Sequence, residues 1–159
     1  MRAPRCMSVT ELPKRPNAWL NSGGAGTMGY SVPAAMGAKV AQPDRLVWAI
    51  DGDGCFQMTC GELATAKRQG ITLPVVVLDD RWLGLIRVKQ LRRQYGIYGT
   101  ELQPEDYRDP PEHYFGVPAI GVRDSDSLKS AVENALKAVG PTVIEAVVNS
   151  EHYIETVFD

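Results

Sequence analysis

Apolar residues fall along this chain in short unbroken runs, separated by stretches in which they recur at helical spacing. Leu46 to Ile50 is one such run, and Leu73 to Leu78, centred on Val75, Val76 and Val77, is a second; both read as strands covered on each face. A third, Thr142 to Val148, closes the pattern. Between them, Ser31 to Val40 reads as a helix whose first turn tolerates Pro33 and which Pro43 prevents from continuing. Thr59-Cys60-Gly61-Glu62 has the Thr-x-x-Glu form of a capping box, predicting a helix that runs through Leu63, Ala64 and Ala66 until Gly70 closes it. Asp79 to about Tyr98 predicts a loop that becomes a helix with a basic face, and residues 99–111 are turn-rich. Leu128, Ala131, Val132, Ala135, Leu136 and Val139 then keep helical spacing until Gly140-Pro141 stops them. A strand, a helix and a strand of these lengths imply a right-handed parallel crossover, so the expected fold is a single α/β domain, a mostly parallel sheet with helices on both faces.

Two stretches depart from this alternation. Residues 1–18 carry Pro4, Pro13 and Pro16 with scattered charge and no apolar period, which predicts an extended or poorly ordered arm before a domain spanning 19–159. Asn21-Ser22-Gly23-Gly24-Ala25-Gly26-Thr27-Met28-Gly29 concentrates glycine where the chain needs positive φ and close backbone approach, a loop built to fit around something.

Composition narrows the partners. With 159 residues and 44% apolar content the chain can bury one continuous core. Lys and Arg number 17 against 19 Asp and Glu, for a net charge of −2, so no basic excess points to nucleic acid or to an anionic membrane. No apolar run approaches the roughly 20 residues that cross a bilayer. Cys6, Cys55 and Cys60 form no CxxC pair and are odd in number, which argues against a disulfide framework or a zinc ribbon and makes a reducing cytoplasm the default. The start of the chain has basic residues but no apolar core of a leader, leaving a transit peptide as the rival to an exposed arm. His113 and His152 have no nucleophile or ligand pattern beside them and read as solvated or structural. The basic stretch Arg87 to Arg93 reads first as a solvated helix face.

The chemistry concentrates at one rim. Ligands of an open parallel sheet bind beyond the carboxyl ends of its strands. Asp51-Gly52-Asp53-Gly54, read as a sharp turn, follows the first strand, and Asp79-Asp80 follows the second. Adjacent strands lie about 4.8 Å apart, a separation that one hard cation can bridge with two carboxylates. Mg²⁺ combines one or two carboxylates with phosphate oxygens, so a phosphate ligand is implied, and the Gly52-Asp53-Gly54 segment with the helix after it offers backbone N–H groups to it. Taken singly, Asp-Gly after a strand is a common turn and an acidic pair at a strand end is a solvated cap. Their placement at one rim, with a glycine loop elsewhere in the chain, favours a site.

Gly52-Asp53-Gly54-Cys55-Phe56-Gln57-Met58-Thr59, followed by Glu62 to Ala66 and by Val75-Val76-Val77-Leu78-Asp79-Asp80, resembles the thiamine-diphosphate motif that opens Gly-Asp-Gly and closes on a polar pair. Asp53 and Asp80 stand 27 positions apart, in keeping with that family. Upstream, Trp19 to Tyr30 is similar to the acetolactate synthase and benzaldehyde lyase branch, and the similarity extends with decreasing strength to Val148. The resemblance implies the C-terminal, diphosphate-binding domain of such an enzyme, with thiamine diphosphate and Mg²⁺ as cofactors. It implies Asp53, Asp80 and the carbonyl of Trp82 as metal ligands, and Gly52, Gly54, Cys55, Gly84 and Leu85 against the diphosphate. Gly26, Thr27 and Met28 would meet the aminopyrimidine, Met28 as the wedge that keeps the cofactor bent; outside this glycine loop Met28 would read as a core residue. Trp82 and Leu83 also read as packing residues, a role compatible with a backbone contact to metal.

Two positions depart from the family pattern: the polar pair is Asp79-Asp80 where Asn is usual, and Cys55 replaces a serine hydroxyl with a weak thiol donor. The family's proton-relay glutamate belongs to another domain; Glu62, read as a helix cap, and Glu145, inside a strand, are not substitutes. No catalytic residue is therefore expected in this chain, and most of the segment that precedes Trp19 in relatives is missing, as in a truncated subunit or half of a split enzyme. The implied activity is decarboxylation or carboligation of a 2-oxo acid, completed by a complementary pyrimidine-binding domain or subunit in a homo- or hetero-oligomer. Two rivals stand beside it: a non-catalytic interaction or regulatory subunit that keeps the fold, and an acid-pair phosphohydrolase that uses Mg²⁺ without thiamine.

Overall fold

The computed structural model describes residues 18–103, 110–151 and 153–156. The arm expected over 1–18, all but Ala18, lies outside the described residues, as do Cys6 and His152.

A five-stranded sheet in the order β1-β2-β5-β4-β3 forms the centre: β1 (Ala49–Gly52), β2 (Pro74–Asp79), β3 (His113–Tyr114), β4 (Val117–Val122) and β5 (Thr142–Val147). β1 pairs parallel with β2, in register Ala49 with Val75 and Gly52 with Leu78; β2 pairs parallel with β5, and β5 with β4. β3 alone is antiparallel, on β4. The expected neighbours β1 and β2 are therefore in contact, and their carboxyl ends share a rim.

Helices cover both faces, as the unbroken apolar runs require. On one face α1 (Ser31–Ala41), α2 (Asp53–Thr59) and α3 (Glu62–Arg68) build a core in which Val32, Leu63, Leu73, Val75 and Val117 are fully buried beside Phe56 and Val143. On the other, α5 (Ser125–Ala135) lays Ala131 and Ala135 on Val122, Ile144 and Ala146, with Leu128 and Val132 at the margin. α4 (Gly84–Arg92) and the short α6 (Tyr153–Thr156) contact each other.

Several expectations are corrected. The first strand does not end at Ile50: Leu46 is exposed, and the pairing carries the strand through Asp51 and Gly52, opposite Val77 and Leu78. The segment read as a turn at Asp51 to Gly54 is thus half strand and half helix, with Gly52 extended (φ −86°, ψ 157°) and Asp53 opening α2 at once. The Thr59/Glu62 capping box does not form. Thr59 closes α2, its hydroxyl is buried without a partner, and α3 starts from Gly61 with no side-chain cap, leaving Glu62 exposed. A capping box does form at α5, where Asp124 accepts from the N–H groups of Asp126 (3.0 Å) and Ser127 (2.8 Å). That helix ends at Ala135, so Leu136 and Val139 are exposed instead of continuing its apolar stripe. Gly70 does close α3, in the left-handed region at φ +64°. β3 and β4 were not foreseen, because Pro118 and Gly121 break the apolar pattern of Val117 to Val122. Pro118 stands before Ala119, the first residue of β4 in register with β5, so its missing N–H spares the central ladder.

Candidate functional site

Four acids are buried among the described residues, and no Lys, Arg or His is: Asp51, Asp53, Asp79 and Glu145. Asp51 and Asp79 lie toward the carboxyl ends of β1 and β2, Asp53 opens α2 just beyond β1, and Asp51, opposite Val77, shares a sheet face with Glu145 of β5, also opposite Val77. Burial of like charges without a base beside them is costly unless protons or a cation compensate.

Asp53 is the centre of the group. Its Oδ1 accepts the N–H of Gly54 at 2.7 Å and its Oδ2 the N–H of Arg81 at 2.8 Å. Burial first, then the neighbouring Asp79 carboxyl and the charge of Asp80, push its pKa up to about 8. Arg81 donates the same N–H to Asp79 Oδ1 at 2.9 Å, so one amide ties the ends of β1 and β2 together. To do this Arg81 takes φ +67°, a left-handed conformation unusual for a residue with a side chain and a sign of local strain at the rim. Asp80 Oδ1 accepts the N–H of Trp82 at 2.8 Å, and burial raises its pKa against the opposing effects of that N–H and the Arg87 charge.

The Trp82 corner is held from outside. Leu83 donates its N–H to the Thr100 carbonyl at 2.8 Å, Leu102 donates to the Arg81 carbonyl at 2.9 Å, and Trp82 bridges Glu101. The Arg87 guanidinium lies 4.2 Å from the Trp82 ring centroid and reaches the Ser150 hydroxyl at 3.4 Å. Neither α4, which begins at Gly84, nor α2, which follows Gly52, has a side-chain cap, although Asp53 takes the N–H of Gly54 in the first turn of α2.

The glycine loop meets this corner. Gly26 and Gly29 take φ +58° and +74°. A Cβ on Gly29 would stand 3.1 Å from Thr59 Cγ2, and a Cβ on Gly54 would stand 3.4 Å from the Met28 methyl and 2.8 Å from Leu83 Cδ2. Met28, Gly54 and Leu83, separate in sequence, thus converge, with Met28 half-buried and Thr27 exposed. A cavity of about 540 Å³ opens at the carboxyl ends of β2 and β5, lined by Asp79, Asp80, Trp82, Gly84, Arg87 and Tyr153 among others; Gly26, Met28, Asp53, Gly54, Cys55, Leu83 and Leu85 are not in its lining.

Sequence reasoning missed three features. Asp51 is a buried strand residue beside the Cys55 thiol and the Ser31 hydroxyl; burial first, and Cys55 next, push its pKa to about 7, and its Oδ2 has no partner. Glu145 is buried mid-strand and accepts from the Tyr114 hydroxyl at 3.1 Å, and burial pushes its pKa to about 7. A lone acid inside each apolar strand was the available signal. The Arg81 amide bridge had none.

The donor set suits a hard divalent cation: Asp53 and Asp80 offer carboxylate oxygens with lone pairs beyond those their N–H partners use, and Trp82 a carbonyl. Among the described residues no three or more His, Cys, Asp or Glu side chains are arranged to hold a metal, so protein carboxylates alone do not complete a shell and an oxygen-rich ligand would have to. No helix among the described residues is long and apolar enough to cross a membrane.

Comparison with known proteins agrees with this fold. Residues 6–146 match the family model described as thiamine pyrophosphate enzyme, C-terminal TPP binding domain. The acetolactate synthase large subunit of Corynebacterium glutamicum is 40% identical over 144 residues, covering 87% of this chain and 23% of that protein. The acetolactate synthase of Mycobacterium bovis is 58% identical over 98 residues, covering 61% of this chain and 16% of that protein. Among solved structures, the thiamine diphosphate-dependent 4-hydroxybenzoylformate decarboxylase of Rhodococcus jostii RHA1 superposes with a TM-score of 0.69 at 28% identity, covering 78% of this chain and 24% of that one. The chain spans about a quarter or less of the length of each. With most of its length matched to that model, and with the parallel sheet and rim that go with it, this chain belongs to the C-terminal TPP-binding domains of the thiamine pyrophosphate enzymes.

Proposed function

We propose that the chain binds thiamine diphosphate through Mg²⁺, as the diphosphate-binding part of an acetolactate synthase-like decarboxylase or carboligase of 2-oxo acids. The observation that carries the reading is the convergence of Asp53 and Asp80 at one buried rim, beside a shared Arg81 amide and with no buried base to neutralise them.

In this reading Asp53, Asp80 and the Trp82 carbonyl hold the metal. Gly52 carries the strand into α2, and Gly54, Cys55, Gly84 and Leu85 face the diphosphate with the first-turn backbone of α2 and α4. Gly26, Thr27 and Met28 face the aminopyrimidine, Met28 from its place against Gly54. When bound, thiamine diphosphate supplies the electron sink for chemistry at the carbonyl carbon of a 2-oxo acid. The chain's own residues contribute position and charge. Asp53 must give up the proton that its environment retains up to about pH 8 before it can ligate a cation.

The proton-relay glutamate is assigned to a complementary pyrimidine-binding domain or subunit, within a homo- or hetero-oligomer in the cytoplasm. Exposed Trp19, Leu20, Tyr30 and Met58 lie in or beside the glycine loop and α2, and they support such a contact. The same residues support the second reading, a non-catalytic interaction subunit. Calorimetric titration of thiamine diphosphate in the presence of Mg²⁺ separates the two. Binding that Asp53→Ala removes supports the cofactor-binding reading; no heat with the natural chain, or binding unchanged in Asp53→Ala, overturns it.

A further inference from the structure

Beyond α4 the chain turns back on the helix it has just left. Gln94 takes φ +55°, a left-handed turn made by a residue with a side chain, and there Tyr95 donates its N–H to the Gln90 carbonyl at 2.9 Å and Gln94 its own to that of Leu91 at 3.0 Å. The Gln90 side chain then holds the returning segment twice. Its Nε2 donates to the Tyr98 carbonyl at 2.9 Å and its Oε1 accepts from the Thr100 hydroxyl at 3.2 Å, on either side of Gly99, which sits at φ +64°. Thr100 is 2% exposed, so its hydroxyl has to find a partner inside the protein.

The segment held in this way runs directly into the rim. The Thr100 carbonyl accepts the Leu83 N–H at 2.8 Å and Leu102 donates its N–H to the Arg81 carbonyl at 2.9 Å, which clasps Trp82 against Glu101. Leu102 reaches further, since a Cβ on Gly54 would stand 3.3 Å from its Cδ1, beside Leu83 and the Met28 methyl. Three segments thus bring apolar groups onto Gly54, and the one that carries Leu102 is fastened from the end of α4.

We infer that Gln90 is a positioning residue: with Thr100 as its partner it fastens residues 98–102 to α4, and so sets the Trp82 corner and the apolar wall over Gly54. For its consequence on cofactor binding the inference rests on the reading of Trp82 and Gly54 as facing metal and diphosphate; the fastening itself stands without it.

The chemistry of the contact asks for an amide. A side-chain amide of this length offers a donor and an acceptor together, which is what a carbonyl at 98 and a hydroxyl at 100 require. Methionine at 90 keeps the length and the helix preference but offers no donor and only a weak acceptor. The Thr100 hydroxyl is then buried and unpaired, and opening of the segment, which lets water reach it, becomes easier.

The test is amide hydrogen exchange of the cofactor-free chain, read residue by residue, in the natural protein and in Gln90→Met, Thr100→Val and Thr100→Ser. The Leu83 and Leu102 amides should exchange about tenfold faster in Gln90→Met and in Thr100→Val, while Val75 and Val77 of β2 keep their protection. Thr100→Ser, which keeps the hydroxyl, should match the natural protein. Unchanged exchange at Leu83 and Leu102 in the first two variants overturns the inference. So does an equal loss at Val75 and Val77, which would mark the contact as general packing, and so does Thr100→Ser exchanging as fast as Thr100→Val. Calorimetry with thiamine diphosphate and Mg²⁺ on the same four proteins reads the consequence: Gln90→Met and Thr100→Val should bind about tenfold more weakly, and unweakened binding overturns the positioning role. If exchange follows the prediction but the natural chain binds no thiamine diphosphate, the functional reading fails and the fastening stands. If the natural chain binds and exchange at Leu83 and Leu102 is unmoved, the fastening fails and the functional reading stands.

Discussion

Asp53 carries two opposed demands. Its two oxygens are held by the N–H groups of Gly54 and Arg81, which favour the anion, yet burial and the carboxyls of Asp79 and Asp80 push its pKa to about 8. With Asp51 and Glu145 each near 7, the folded, cofactor-free chain binds more protons than the unfolded chain between about pH 4 and pH 8. The sign follows: the stability these groups contribute is complete below the ordinary carboxylate range and is lost as pH rises through 7 and 8. Thermal unfolding without cofactor should therefore show a lower Tm at pH 8.5 than at pH 5.5, by several degrees for a loss on the order of a few kcal/mol. Mg²⁺ with thiamine diphosphate should narrow that difference, because the cation takes the place of the proton. A Tm that rises between those pH values in the cofactor-free chain would contradict the assignment of raised values. Asp53→Asn keeps one acceptor oxygen for the two N–H groups of Gly54 and Arg81, and it should weaken Mg²⁺-dependent binding by about a hundredfold, as expected for loss of a charged metal ligand. Asp53 and Asp80 were legible because Gly-Asp-Gly and an acidic pair each follow an apolar run. Asp51 and Glu145 were less so, since the face on which a strand residue points depends on register, and register was not fixed by the pattern alone.

The segments that carry these residues are joined by glycine. Gly29 sits at φ +74° between the glycine loop and α1, with Thr59 and Met58 of α2 at 3.1 and 3.3 Å from where a Cβ would be. Gly29→Ala should cost about 1–3 kcal/mol in urea unfolding, from positive φ and crowding together. Gly37→Ala, on the exposed side of α1 with open space around it, should be neutral or stabilising by up to about 1 kcal/mol. Equal effects of the two changes would contradict the account of the loop. Long apolar runs fixed the parallel strands and the covered faces in advance. That Thr59 ends a helix, α2, before α3 begins was not legible, because Thr-x-x-Glu reads the same whether Thr59 starts a helix or ends one. β4 hid behind Pro118 and Gly121, and its pairing with β5 is a long-range contact that no local pattern announces.

As a whole, the chain is one α/β layer structure with an acidic rim at the carboxyl ends of β1 and β2 and about a quarter or less of the length of the relatives compared. The rim holds groups suited to a metal and a diphosphate. On the proposed function the 159-residue chain alone should bind thiamine diphosphate yet release no CO₂ from 2-oxo acids above the rate of free cofactor, and a pyrimidine-binding partner should restore turnover. Decarboxylation by the isolated chain would place the proton relay within it and contradict the division of labour proposed here. The metal is the part that nothing but its own signal can place. Crystals grown with thiamine diphosphate and Mn²⁺ in place of Mg²⁺, measured for anomalous scattering, should show one strong peak between the carboxylates of Asp53 and Asp80, with the Trp82 carbonyl and phosphate oxygens completing its shell. A peak bound elsewhere, or an empty rim with the two carboxylates turned apart, would contradict it.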